Sequence, residues 1–170
     1  ALSFAMREQM TMVLEEFDND PQVRVIIIRG SGGKAFISGA DISEFKNIRN
    51  NFDAEKLYAK ASEKMTDAMI AFKKPIIAMI EGYCVGGGVA TAIGADIRVA
   101  SENTKYGIPA GRLGLAYGFD NLRQLVDLVG PANAKMILFS ADMFDASKAL
   151  QIGLVNNVVP QDELESTVLE

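Results

Sequence analysis

The stretch KKPIIAMIEGYCVGGG, Lys73 to Gly88, decides how this chain folds. Lys73-Lys74-Pro75 closes whatever helix precedes it, because proline disfavours the helical region for the residue before it. Pro75 to Ile80 is then an unbroken apolar run, too short for a helix and rich in β-branched residues, and is expected to be a buried strand. It enters Glu81-Gly82-Tyr83-Cys84-Val85-Gly86-Gly87-Gly88, a glycine-bearing turn, and Val89 to Gly94 follows as a helix of small residues. Working back along the chain, the same design recurs. Val23 to Ile28 (VRVIII) reads as another buried strand. A flexible turn at Gly30-Ser31-Gly32-Gly33 leads to Phe36-Ile37-Ser38-Gly39-Ala40-Asp41 and a short helix near Ile42–Ile48.

The flanking segments complete an α/β pattern. Residues 3–17 are expected to be helical, with Ser3 as N-cap and Leu2, Met6, Met10, Val13, Leu14 and Phe17 on one face. Residues 53–72 carry the longest helical pattern, with Leu57, Ala61, Met65, Ala68, Met69 and Phe72 as its apolar face. Asp96–Ala100 and Lys105–Ile108 read as short strands. Helices are expected at 119–129 and 131–139, parted by Gly130-Pro131, and near Ala146–Ile152, before a last strand at Val155–Val159. The 170 residues carry no interdomain linker and read as one domain, 1–170.

Composition removes whole classes of chemistry. There is no histidine and one cysteine, Cys84. A Ser-His-Asp triad, a Cys-His pair, a His-ligated metal and an intrachain disulfide are therefore all excluded. No metal is expected, and no redox cofactor. Acid–base work falls to Asp, Glu, Tyr, Lys or water. The 22 acidic residues outnumber the 17 basic ones, for a net charge of −5, which argues against a nucleic-acid partner. No apolar run approaches the ~20 residues of a membrane helix, so no membrane partner is expected and a cytoplasmic location is, or the mitochondrial matrix in a eukaryote.

The two glycine-bearing turns suggest electrostatic catalysis by backbone. Glycine lets main chain approach a ligand, and a helix start offers unpaired N–H groups. Two such turns side by side could direct two donors at one oxygen, as an oxyanion hole does. Phosphate cradles fail on spacing. A P-loop ending at Lys34 needs glycine where Ile28 stands and is followed by Ala35; a dinucleotide fingerprint from Gly86 needs glycine where Thr91 stands.

These residues, with their neighbours, resemble the enoyl-CoA hydratase/isomerase (crotonase) family. The likeness covers nearly the whole chain: ALS at 1–3, VRVIIIRG, KAFISGADI, KKPIIAMIEGYCVGGG, GADIRVAS, KYGIPAGRLGL, LVG and GLVNNVVP, in family order and spacing. It implies a spiral of ββα units, here a core lacking the usual C-terminal helices and incomplete at both ends, whose full-length form is a homotrimer or hexamer. It implies an acyl-CoA thioester as partner, with coenzyme A as part of the substrate and no separate cofactor. The oxyanion donors would be the N–H groups of Ala40 and Gly87, and Gly39, Ala40, Asp41 and Ile42 would line the coenzyme A path. The shared chemistry is stabilisation of a thioester enolate, where one donor of such a hole is worth about 3–4 kcal/mol.

The likeness also marks departures. Hydratases of the family carry two glutamates, and the corresponding positions here are Ala90 and Ala110. Syn-hydration by paired glutamates is therefore not expected. Decarboxylation, or another lyase or isomerase step, is; the alternative is a catalytically silent acyl-CoA binding or assembly protein. Tyr117 is the candidate for orienting a carboxylate or delivering a proton, against packing at a helix start. Asp120 is expected to complement a helix dipole, Asp96 to be structural and Asp41 to cap the helix that follows it. Arg112 is expected in an ion pair rather than on an acyl carboxylate, Lys34 in solvent and Cys84 in the core. Glu81 receives no role.

Overall fold

The computed structural model describes residues 1–41 and 52–170. Its elements in chain order are α1 (Phe4–Asn19), β1 (Ile26–Arg29), β2 (Ala35–Ile37), α2 (Phe52–Ala71), β3 (Ile76–Ile80), β4 (Tyr83–Val85) and α3 (Gly87–Ile93). There follow β5 (Ile97–Ser101), β6 (Lys105–Gly107), α4 (Phe119–Ser140), β7 (Phe144–Asp145), α5 (Ala146–Gln151), β8 (Asn157–Val159) and α6 (Leu164–Leu169), with 3-10 turns at Pro109–Leu113 and Gln161–Glu163. The short helix expected near Ile42–Ile48 lies outside the described residues. Among the described residues, no helix is long and apolar enough to cross a membrane.

The strands form two sheets, β1-β3-β5-β8 and β2-β4-β6-β7. Each winding of the chain gives one strand to each sheet: β1 then β2, β3 then β4, β5 then β6. The pairings between successive windings are parallel. This is the spiral of ββα units. Ile76, Ala78 and Ile80 of β3 face the main core, while Met79 joins Val99, Leu164 and Val168 on the sheet's other face. Both faces of β3 are covered, so its unbroken apolar run is what a central parallel strand requires. The covering helix α6 has no counterpart in the sequence reading.

β1 behaves differently from expectation. It shows alternating burial, with Ile27 36% exposed and Val25, just before it, 45% exposed. Among the described residues it is an edge strand, and α6, which packs on β3, meets it through the Arg29–Glu165 ion pair at 3.1 Å rather than by covering Ile27. The apolar face assigned to α1 is also only partly right. Ser3 caps the helix, accepting from the Met6 N–H at 3.2 Å. Leu14 is buried, but Met6, Val13 and Phe17 are exposed, and the second buried side chain of the helix is Arg7. On α2, Ala61, Met65 and Met69 are buried as the pattern predicts, while Leu57 is exposed. α4 leaves helical geometry at Gly130 (φ 77°, ψ 159°), which confirms two helical runs on either side of the Gly130-Pro131 break.

Asp96 holds the start of two central strands together. Its carboxylate Oδ2 accepts from the Ile76 N–H at 2.7 Å, and its own N–H donates to the Ile76 carbonyl at 2.9 Å. Asp96→Ala is expected to destabilise the protein by about 1–2 kcal/mol, the scale of a charge-assisted hydrogen bond at a partly exposed site. A thermal melt should fall by roughly 2–8 °C, and Asp96→Asn, which keeps an acceptor, by less. Equal losses in both variants would assign the effect to something other than this bond.

Candidate functional site

The site is built where β2 and β4 end. These strands pair in parallel, so the turns that follow them emerge at the same edge of the sheet. Their close approach depends on Gly88. A Cβ placed on it would lie 2.2 Å from the carbonyl oxygen of Ile37, which is main chain and cannot swing aside. Gly86 turns strand into helix with φ 56° and ψ −108°, a left-handed conformation open to glycine. α3 therefore starts at Gly87, two residues earlier than the small-residue pattern suggests. The glycines are its first turn rather than its preface.

The same architecture leaves two N–H groups outside the backbone ladders. Leu2 bridges the first turn: its N–H donates to the Gly39 carbonyl at 2.8 Å, and its carbonyl accepts from the Asp41 N–H at 3.3 Å. The Ala40 N–H lies between these bonds and is in neither. Gly87 is the first residue of α3, so its N–H has no carbonyl one turn back to pair with. Gly86 is anchored by its own N–H on the Gly107 carbonyl at 2.8 Å. Ala40 and Gly87 line one cavity of about 190 Å³.

Tyr117 and Ala90 line that cavity too. The Tyr117 hydroxyl donates to the Gly86 carbonyl across 3.5 Å, a long contact that leaves it free to turn to a ligand. Burial pushes its phenol above the ordinary tyrosine value, and the nearby Cys84 adds to the rise, so the group is a neutral hydroxyl at physiological pH. No Asp or Glu is among the described residues that line the cavity. Of the two positions where the resemblance led us to expect glutamates, Ala90 lines the wall and Ala110 lies outside it.

Other candidates fall elsewhere. Gly39 and Asp41 flank Ala40 without lining the cavity, and Ile42 and the helix that Asp41 was to cap lie outside the described residues. Asp120 is exposed in the first turn of α4, suited to its dipole. Arg112 forms an exposed ion pair with Asp142, away from the cavity. Lys34 is exposed. Cys84 is fully buried, and burial raises its thiol pKa, so it is no nucleophile in the native state.

Wall residues on three helices, α1, α2 and α4, went unread in the sequence. Arg7 is 4% exposed; its Nη1 donates to the Leu2 carbonyl at 2.6 Å and the Ser3 carbonyl at 3.0 Å, and its guanidinium lies 4.5 Å from the Tyr58 ring centroid. The signal was its place seven residues before Leu14, on the same helical face. Ser62 and Thr66 come from α2, and Asn121 and Gln124 from α4. The polar series 117, 121, 124 has helical spacing, and could have been read as one face turned to Tyr117's side.

Comparison with known proteins identifies the family to which this fold belongs. The profile of the enoyl-CoA hydratase/isomerase family matches residues 1–170. The chain is 39% identical to a short-chain-enoyl-CoA hydratase of Clostridium acetobutylicum over 170 residues, covering all of this chain and 64% of that protein. It is 40% identical to a crotonyl-CoA hydratase of Syntrophomonas wolfei over 147 residues, covering 86% of this chain and 56% of the relative. Among solved structures, an enoyl-CoA hydratase/carnithine racemase from Magnetospirillum magneticum superposes with a TM-score of 0.95 at 36% identity, over 99% of this chain and 63% of that one. The chain thus spans under two thirds of the length of these relatives. The family profile over every residue, together with the spiral of paired strands, establishes that the chain belongs to the enoyl-CoA hydratase/isomerase family.

Proposed function

We propose that the protein binds an acyl-CoA thioester and stabilises its enolate through the N–H groups of Ala40 and Gly87. One observation carries this reading: two main-chain donors outside every backbone ladder belong to residues on the wall of one cavity. As the bond to the α-carbon breaks or a proton leaves it, negative charge grows on the thioester oxygen. Donors already held by the sheet edge and by the start of α3 need no reorganisation to meet it. Gly39 and Asp41 then flank the path of the coenzyme A portion.

The wall offers no carboxylate base among the described residues, so the favoured chemistry is one in which the enolate forms without it. Loss of carbon dioxide from a malonyl-type thioester is such a step: the carbon–carbon bond electrons pass into the enolate, and a proton is returned to the α-carbon. Tyr117 is the hydroxyl in reach to orient the departing group or to deliver that proton. A second reading is hydration, favoured by the names of the relatives above. Water added across an enoyl double bond would then be oriented by the hydroxyl and amide groups of the wall. For the whole protein, a homotrimer or hexamer in the cytoplasm accompanies either reading, and sedimentation and cell fractionation test it.

Mass spectrometry of enoyl-, 3-hydroxyacyl- and malonyl-type thioesters incubated with the purified protein separates the readings. Loss of carbon dioxide supports the first, and gain of water by the enoyl thioester supports the second. Binding with no conversion of any thioester would leave a silent acyl-CoA binder. Tyr117→Phe is expected to lower kcat by about 100-fold with little change in KM, the scale of one general acid. Because the phenol's pKa is raised, the parent's rate should show no loss from its ionisation up to about pH 10, the ordinary tyrosine value. An unchanged kcat in Tyr117→Phe removes the hydroxyl from the mechanism.

A further inference from the structure

Arg7 stands on the face of α1 that turns to the core. It shares that face with Leu14 and is 4% exposed. Taking a guanidinium out of water is costly unless its N–H groups find acceptors, and a methionine would fill the same space without that cost. Departures of this kind from the local pattern gather at functional sites. The side chain also has a definite direction. Side chains on a helix lean toward its N-terminus, so Arg7 reaches back past the start of α1 to residues 2 and 3.

That reach ends between the two donor turns. Nη1 donates to the Leu2 carbonyl at 2.6 Å and to the Ser3 carbonyl at 3.0 Å. The same Leu2 carbonyl accepts from the Asp41 N–H, and the Leu2 N–H donates to the Gly39 carbonyl, so Leu2 pairs with Ala40 as an isolated parallel bridge. On the other side, Nη2 lies 3.8 Å from where a Cβ on Gly87 would stand. The two nitrogens belong to one rigid plane. Tyr58 of α2 faces that plane, with its ring centroid 4.5 Å from the guanidinium carbon. Arg7, Ala40, Tyr58 and Gly87 all line the one cavity. A single planar group thus holds the residue that carries the first turn and stands beside the residue that opens the second.

We propose that Arg7 is a positioning residue for the oxyanion hole: it holds Leu2, and through Leu2 the Ala40 N–H, at a set distance from the Gly87 N–H. This rests on the acyl-CoA reading above and adds to it the part that fixes the two donors relative to each other. Stabilisation by main-chain donors depends on their being in place before the charge develops, and a misplacement of about 1 Å can cost roughly 100-fold in rate. Leu2 meets the first turn through one isolated bridge, with no neighbouring rung to stiffen it. The charge-assisted bond from Nη1 supplies that stiffness.

Arg7→Ala in the purified protein tests this by two readouts. The first is turnover of malonyl-CoA and crotonyl-CoA well below the melting temperature. There kcat is expected to fall at least about ten-fold while KM changes by less than about three-fold, because the donors act on the developing charge more than on bound substrate. The second is independent of turnover: hydrogen exchange at the Leu2 and Asp41 amides should speed up at least about ten-fold. Guanidinium chloride at about 50 mM, far below denaturing concentrations, should restore much of both losses by refilling the space of the removed group, and sodium chloride at the same concentration should not. Leu14→Ala is the control. It removes a core side chain from the same face of α1, and should lower the melting temperature without lowering kcat.

An unchanged kcat in Arg7→Ala overturns the proposal, as do unchanged exchange rates, a loss of kcat that Leu14→Ala reproduces, or equal recovery in the two salts. Where the parent converts neither thioester, the exchange rates and their recovery decide alone. Failure of the parent to bind even acetyl-CoA removes the acyl-CoA reading and leaves the amide result to stand. If Arg7→Ala fails to fold, Arg7→Met, which keeps the buried stem, takes its place for rates and exchange.

Discussion

Gly87→Pro is expected to lower turnover of the thioester by about 10²–10³-fold, the cost of losing one oxyanion donor. Proline is tolerated at the first position of a helix, because the N–H it lacks has no partner inside the helix. There is also room for a Cβ, which at Gly87 would meet nothing closer than Arg7 Nη2 at 3.8 Å. The substitution therefore removes the donor with little other change to α3. Gly87→Ala supplies the comparison, since it adds a similar carbon and keeps the N–H. Steady-state rates for the two variants, beside their melting curves, form the measurement. If both variants lose activity equally at unchanged stability, bulk at this position is responsible and the Gly87 N–H is not a catalytic donor. A proline variant as fast as the parent would remove the oxyanion hole from the mechanism altogether.

The second large effect is expected one residue on. Gly88→Ala places a methyl group 2.2 Å from the Ile37 oxygen and 3.1 Å from the Ile37 carbonyl carbon and Cβ. β2 and α3 must then move apart. Overpacking of this kind costs about 1–3 kcal/mol, or roughly 2–12 °C of melting temperature. The displacement also carries Gly87 away from Ala40, so turnover should fall by more than about ten-fold even well below the melt, a 1.4 kcal/mol loss of transition-state stabilisation. Gly32→Ala is the control: nothing lies within 4 Å of its added Cβ, and neither stability nor rate should change. Loss of stability with full activity in Gly88→Ala would show that the spacing of the two turns is not critical to the reaction.

Much of the fold was legible because its signals are short in range. The run from Ile76 to Ile80 declared a strand buried on both faces. Gly130-Pro131 declared a break, and Ser3 a helix start. The misreadings share a cause. Val23–Ile28 looked like a central strand, yet β1 lies at a sheet edge and alternates. Met6, Val13 and Phe17 looked like the inner face of α1, yet Arg7 faces inward with Leu14. In each case composition described what could be buried, and the neighbouring element determined what was.

For the site, the sequence by itself determined the inventory of side chains and the presence of two glycine-bearing turns. These 170 residues hold no histidine, and alanine stands at 90 and 110, where the family resemblance led us to expect glutamates. Glycine at 39 and at 86–88 marked two turns where main chain could approach a ligand, and the family resemblance, not the glycines, pointed to Ala40 and Gly87 within them. The turns themselves follow from backbone conformations that few residues adopt, which is a local property. Only the tertiary structure brought Ala40, Gly87 and Tyr117 to one cavity and added Arg7, Ser62, Thr66, Asn121 and Gln124 to its wall. These groups sit on separate helices, and the rotation of each helix about its axis is set by the summed burial of its whole apolar face against its neighbours. That sum contains partners far away in the chain, so no window of sequence can evaluate it.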